Sequence, residues 1–178
     1  FSALTGGAGG GNVTFNNNSN GLLTVFGDIN VGDGTSRTVT IGGNGDSVFT
    51  GGILTNGAAS HAFTKAGNGT LRLQGGFSSF TDNATVSAGT LEINTIGVLN
   101  SAQGRVVFQG GALNFAGNGF SGETWTKTLL LNATNSILTS NQTGFGPSEL
   151  IVANNIGANT TAAKTLFLGG ASLDLNEV

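Results

Sequence analysis

The chain has 178 residues, 38% hydrophobic and 8% charged, with 32 glycines, one proline and no cysteine. That length accommodates one domain with a real core, and the missing cysteine excludes a disulfide scaffold or a thiolate zinc site. The net charge of −3 comes from charges scattered singly, which leaves no basic stripe for nucleic acid, and no run of about 18 apolar residues is present to span a bilayer.

Phe1–Gly11 is apolar and then glycine-rich, with nothing resembling a polar cap. Strand patterns follow at Asn12–Phe15, Leu22–Phe26, Asp28–Val31 and Arg37–Ile41, with a polar corner from Asn16 to Gly21 and a turn at Gly32–Gly34. Helix signals are absent, because no stretch sustains apolar spacing at three and four and the glycine density would break one. His61, the only histidine, follows Ala58-Ala59-Ser60 and is expected in an exposed loop.

From Phe63 to Asn94 the chain repeats itself: Gly69-Thr70-Leu71-Arg72-Leu73 recurs as Gly89-Thr90-Leu91-Glu92-Ile93, at an offset of 20. A looser copy, Gly111-Ala112-Leu113-Asn114-Phe115, follows at a further offset of 22. Side chains alternate along a strand, so Leu71, Leu73, Leu91, Ile93, Leu113 and Phe115 share one side as inward ladders. Arg72, Glu92 and Asn114 share the other, which places Arg72 beside Glu92 as a cross-coil ion pair on the outside. Such a repeat is one coil of a β-solenoid.

Downstream, Arg105–Phe108, Ala112–Phe115, Lys127–Leu131, Ser136–Leu138, Leu150–Val152, Lys164–Leu168 and Ser172–Leu175 continue as short strands, and Pro147 sits in a loop. Residues 22–43 laid on 149–170 give six identities at an offset of 127, either a larger module or convergence on one coil geometry.

The residues Thr64–Leu73, Phe80-Thr81 and Thr85–Ile93 resemble the autotransporter-associated β-strand repeat of large secreted bacterial surface proteins. They depart from it at Asp82-Asn83, where the family shows glycine, and at Phe80, where it often shows tyrosine. The resemblance covers about 32 of 178 residues. It implies a right-handed parallel β-helix located outside the cell or on the bacterial surface, and it carries no catalytic residue.

Candidate chemistry is thin. Asp28, Asp33 and Asp46 lie near glycines, but Gly42-Gly43-Asn44-Gly45-Asp46 puts the acid one position early for a calcium β-roll, and turn formation by Asp and Asn side chains is the simpler role. Polysaccharide-cleaving solenoids need clustered carboxylates, whereas the nine acids here rarely pair, so no enzyme, no metal and no cofactor is expected. Trp125 reads as a core or corner filler, and Asn-x-Thr sequons as the product of Asn- and Thr-rich composition.

The expected fold is a single all-β solenoid domain over 1–178, of about eight coils of ~22 residues and roughly 40 Å in length; the alternative is a β-sandwich. The expected function is a non-enzymatic structural solenoid of the cell surface. Its uncapped ends point either to a slice of a longer passenger or to a head-to-tail homopolymer, with Phe1, Leu4, Leu173, Leu175 and Val178 as the subunit contacts. A carbohydrate- or host-binding adhesin is the functional alternative.

Overall fold

The computed structural model describes residues 4–5, 11–31, 34–54, 59–75, 78–99, 104–116, 123–140, 150–158 and 161–170. Two sheets of seven strands run the length of the stack, joined by a three-stranded and a two-stranded sheet. Every strand pair among the described residues is parallel. A β-sandwich built on hairpins is therefore ruled out, and the chain is a parallel β-solenoid.

Each coil has three faces. The first face carries Leu4–Thr5, Ile29–Asn30 and Ile53–Leu54. The second carries Val13–Asn16, Arg37–Gly42, His61–Lys65, Ala84–Val86, Val106–Phe108, Leu129–Leu131 and Ile156–Ala158. The third carries Leu23–Val25, Ser47–Phe49, Thr70–Leu73, Thr90–Ile93, Ala112–Phe115, Asn135–Ser140 and Thr165–Gly169. Glu123–Trp125 and Leu150–Val152 pair with each other and take the first-face position in chain order.

Between these two first-face sheets the ladder lapses. Ser79 N–H still donates to the Ile53 carbonyl at 3.1 Å, and Ser78 N–H to that of Val98 at 3.3 Å. Val98 belongs to a 3₁₀ turn over Ile96–Leu99, where Thr95 Oγ1 accepts the Gly97 N–H. Helix-poor sequence still permits this turn, because one threonine hydroxyl holds it.

Among the described residues the stack is seven strands deep, rather than eight coils. Six steps of about 4.8 Å give roughly 29 Å between the outermost strands, shorter than the length expected from the sequence. The reason is coil length. Phe63 pairs with Ala84 and Ala84 with Val106, at offsets of 21 and 22, but Val13 pairs with Val39 at an offset of 26 and Leu129 with Ile156 at 27.

Inward rows run along the axis. Leu71, Leu91, Leu113 and Leu138 stack in register, as do Leu73, Ile93 and Phe115, and all are buried in one core. Complete burial of one such side chain contributes about 1.5–3 kcal/mol. At the corner after the second face, Gly43, Gly67 and Gly89 stack with φ of 104°, 68° and 61°. A Cβ on Gly67 would fall on the backbone of Gly43, and one on Gly89 on that of Gly67. Successive corners approach too closely for any other residue, hence the glycine content.

The structure also decides the long repeat. Arg37–Gly42 lies on the second face, while its counterpart Thr165–Gly169 lies on the third. The similarity at an offset of 127 is therefore convergence on coil chemistry and not a duplicated module. Phe1, Asp33, Pro147, Leu173, Leu175 and Val178 lie outside the described residues, as does the side chain of Leu4, whose backbone pairs with Ile29.

Candidate functional surface

The outer side of the third face carries a polar ladder. Glu92 is the register partner of both Arg72 and Asn114, and Asn114 that of Thr139. Arg72 Nε donates to Glu92 Oε1 at 2.9 Å, Asn114 Nδ2 to Glu92 Oε2 at 3.0 Å, and Thr139 Oγ1 to Asn114 Oδ1 at 2.7 Å. Glu92 thus accepts from two neighbouring coils, and its chemistry is absorbed in holding coils together. Asp46 and Asp28 do comparable work at corners: Asp46 Oδ1 accepts the Thr70 N–H at 2.8 Å and Asp28 Oδ1 the Gly52 N–H at 2.7 Å.

His61 corrects an expectation. It opens the strand His61–Lys65 with a relative exposure of 0%. His61, Phe63 and Lys65 share the inward phase, while Ala62 and Thr64 share the outward one. Placing the histidine in a loop overlooks that the alternation begins with it. Arg37 is its register partner and is also buried.

Lys65 continues the inward row between Ile41 and Val86. An ammonium in that row needs acceptors. It finds them at the glycine corner, donating to the carbonyls of Ala66 at 2.6 Å, Gly67 at 2.8 Å and Ala88 at 3.3 Å. Burial pushes its pKa down to about 8, against a smaller upward pull from the Asp46 carboxylate. Neither Lys65 nor Arg37 stands out in the sequence as more than a strand residue. The signal that finds them is phase: a charged residue two positions from a buried phenylalanine or valine points inward. Trp125 is buried as a core filler.

The outer side of the second face changes character along the axis. Thr14, Thr40, Thr64 and Thr85 form one column, and Val107 and Leu130 continue it. Where the first and second faces meet in the N-terminal coils there is a cavity of about 210 Å³, lined by Asn12, Ser36, Arg37, Thr38, Ser60, Ala62 and Asp82. Among the described residues no group of three or more His, Cys, Asp or Glu side chains is placed to hold a metal ion, and no helix is long and apolar enough to cross a membrane.

Residues 63–93 match the passenger-associated-transport-repeat family. Over 98% of its length the chain is 27% identical to the adhesin BmaC autotransporter of Brucella suis biovar 1 (strain 1330). It spans 6% of that relative. No solved structure matches the chain. The stacked coils, the match over 63–93 and the adhesin relative agree: the chain is a β-solenoid whose residues 63–93 match the passenger-associated-transport-repeat family.

Proposed function

We propose that this chain is a non-enzymatic structural segment of a bacterial surface or secreted passenger, one that spaces and displays rather than reacts. The observation that carries this reading is the parallel stack of two seven-stranded sheets, in which groups suited to chemistry are tied into the scaffold. Glu92 holds two neighbouring coils, and Lys65 holds corner carbonyls. An antibody raised against the 178-residue chain should label intact cells or culture supernatant of the source bacterium. Label found only after lysis would end the reading, and cleavage of a polysaccharide panel by the purified chain would end its non-enzymatic part.

A second reading, assembly end to end into a filament, is favoured by the outermost coils. Leu23 is 38% exposed at one end, and Ile156 and Leu168 are 44% and 46% exposed at the other. All three continue inward rows, over Ser47, Leu129 and Leu138 respectively. A further coil covers such rows, whether it belongs to the same polypeptide or to a second copy. Electron microscopy of the purified chain tests the second copy: fibres one solenoid wide support it, and monodisperse particles at high concentration exclude it. The third reading, an adhesin, takes its support from the named relative and from the cavity on the second face.

A further inference from the structure

We propose that the cavity between the first and second faces is a binding site for a single sugar unit of a glycan. It deepens the adhesin reading and rests on it, and surface display is tested separately by the antibody labelling described above. The cavity is built by four successive coils, with Asn12 from one, Ser36 to Thr38 from the next, Ser60 and Ala62 from the third and Asp82 from the fourth. Ala62 is the one apolar side chain in its wall. That suits a polar guest better than a hydrophobic one, which needs mostly apolar walls. Arg37 opposes a metal cation and Asp82 opposes a free anion, so the charge pattern selects against simple ions of either sign.

What such a wall does accommodate is a neutral guest rich in hydroxyl groups, because each hydroxyl both donates and accepts. The residues of the wall carry an amide, three hydroxyls and a carboxylate, and the guanidinium of Arg37 lies buried behind them. It is also set in place before any guest arrives. Arg37 Nη1 donates to the Gly11 carbonyl at 2.9 Å, the Thr38 N–H to Asn12 Oδ1 at 2.9 Å, and the Ser60 N–H to Ser36 Oγ at 3.2 Å. Asp82 Oδ1 accepts the Asn83 N–H at 2.7 Å. Asn12 and Ser36 engage their oxygens in these bonds and retain an amide NH2 and a hydroxyl proton as donors. Fixing the wall in advance removes part of the ordering cost of binding. At about 210 Å³ the cavity is smaller than the roughly 300–1,000 Å³ of drug-sized pockets, which suits one ring rather than an oligosaccharide.

The test is saturation-transfer NMR of the full 178-residue chain with methyl galactoside, N-acetylglucosamine and N-acetylneuraminic acid, followed by titration of whichever gives transfer. Ala62→Leu fills the cavity from its wall. Asp82→Asn preserves the shape and the acceptor for the Asn83 N–H but removes the charge. Gln109→Leu, exposed at the far end of the same face one coil beyond the cavity, is the control. The expected result is transfer from at least one sugar, weakened about tenfold or more by Ala62→Leu and by Asp82→Asn, and unchanged by Gln109→Leu, with circular dichroism showing an intact β-fold in all three. Absence of transfer from all three sugars overturns the proposal, and so does transfer that none of the variants alters. In either case cell-surface labelling by the antibody still reports on the structural reading alone.

Discussion

The coils around 63–115 and the coil at 156–169 are built from the same kind of strand, yet they seal their interiors to very different degrees. In the central coils Leu71 stacks on Leu91 at an offset of 20 and Leu91 on Leu113 at one of 22, and all three leucines are buried in the core. In the last described coil Asn135 pairs with Thr165 at an offset of 30, and Leu168 stays 46% exposed although it continues the row of Leu138. The lesson is that a solenoid position has no burial of its own. Inward phase supplies the direction, and only coils above and below supply the cover.

The sharpest way to break that comparison is at the glycines. Gly67→Val puts a branched side chain at a φ of 68° and onto the backbone of Gly43, and a loss of more than about 4 kcal/mol is expected. Gly157→Ala in the last coil meets only Leu130 Cδ1 at 3.7 Å, and urea denaturation should find it within about 0.5 kcal/mol of the parent. Equal effects at the two sites would show that coil stacking does not set the tolerance.

The leucine rows come next in size. Leu91→Ala should cost about 3 kcal/mol, since the cavity it leaves is closed on all sides. Leu168→Ala should cost less than about 1 kcal/mol, because much of its surface already meets water. A cost at Leu168 that grows with protein concentration would mean that a second copy seals the end coil, which joins this comparison to the filament reading.

How much of this is legible in the sequence follows the same divide. The offset of 20 between Gly69–Leu73 and Gly89–Ile93 is also the register that sets Leu71 on Leu91, so fold class and repeat family are readable where coils are short and alike. Ser47–Phe49, Ile53–Leu54 and Glu123–Trp125 escape notice as strands. Sequence overestimates the coil count because the longer coils away from the centre have no internal copy to measure them by. The buried Arg37, His61 and Lys65 are hidden by the habit of reading charge as exposure. The cavity is invisible because its walls are drawn from four successive coils, and nothing local in Asn12, Ser60 or Asp82 marks them as neighbours.

Lys65 tests whether its carbonyl cage matches water as a host for an ammonium ion. Its folded-state pKa is lowered from 10.5 to about 8, so the unfolded chain holds this proton more tightly. Stability from this group therefore rises with pH between about 8 and 10.5 and is flat outside that window. The parent should gain stability relative to Lys65→Met between pH 8 and pH 10 in urea denaturation. A parent that loses stability relative to the variant over that window would show that the carbonyls of Ala66, Gly67 and Ala88 hold the charged form better than water does.

The smallest effect expected belongs to the outer ladder of the third face, and it asks whether the central coils gain from polar as well as apolar registration. Arg72 and Glu92 are 34% and 21% exposed, so solvent screens most of their attraction, and an exposed pair contributes about 0.2–1 kcal/mol. Glu92 also accepts from Asn114, so Glu92→Ala removes bonds to two coils at once and should cost about 1 kcal/mol. Glu92→Gln removes the charge and leaves one acceptor oxygen for two donors, Arg72 Nε and Asn114 Nδ2, so a cost close to that of Glu92→Ala is expected. A double-mutant cycle with Arg72→Ala separates the two contributions: a coupling of about 0.5 kcal/mol that shrinks in 1 M salt identifies an ion pair, whereas a salt-independent coupling assigns the energy to hydrogen bonding along the column. Repeated on Asn114 and Thr139, the cycle should give a coupling that salt leaves unchanged, because that pair carries no charge. At Gly169, the register partner of Thr139, the column ends for want of a side chain, in the same coil where the apolar rows lose their cover.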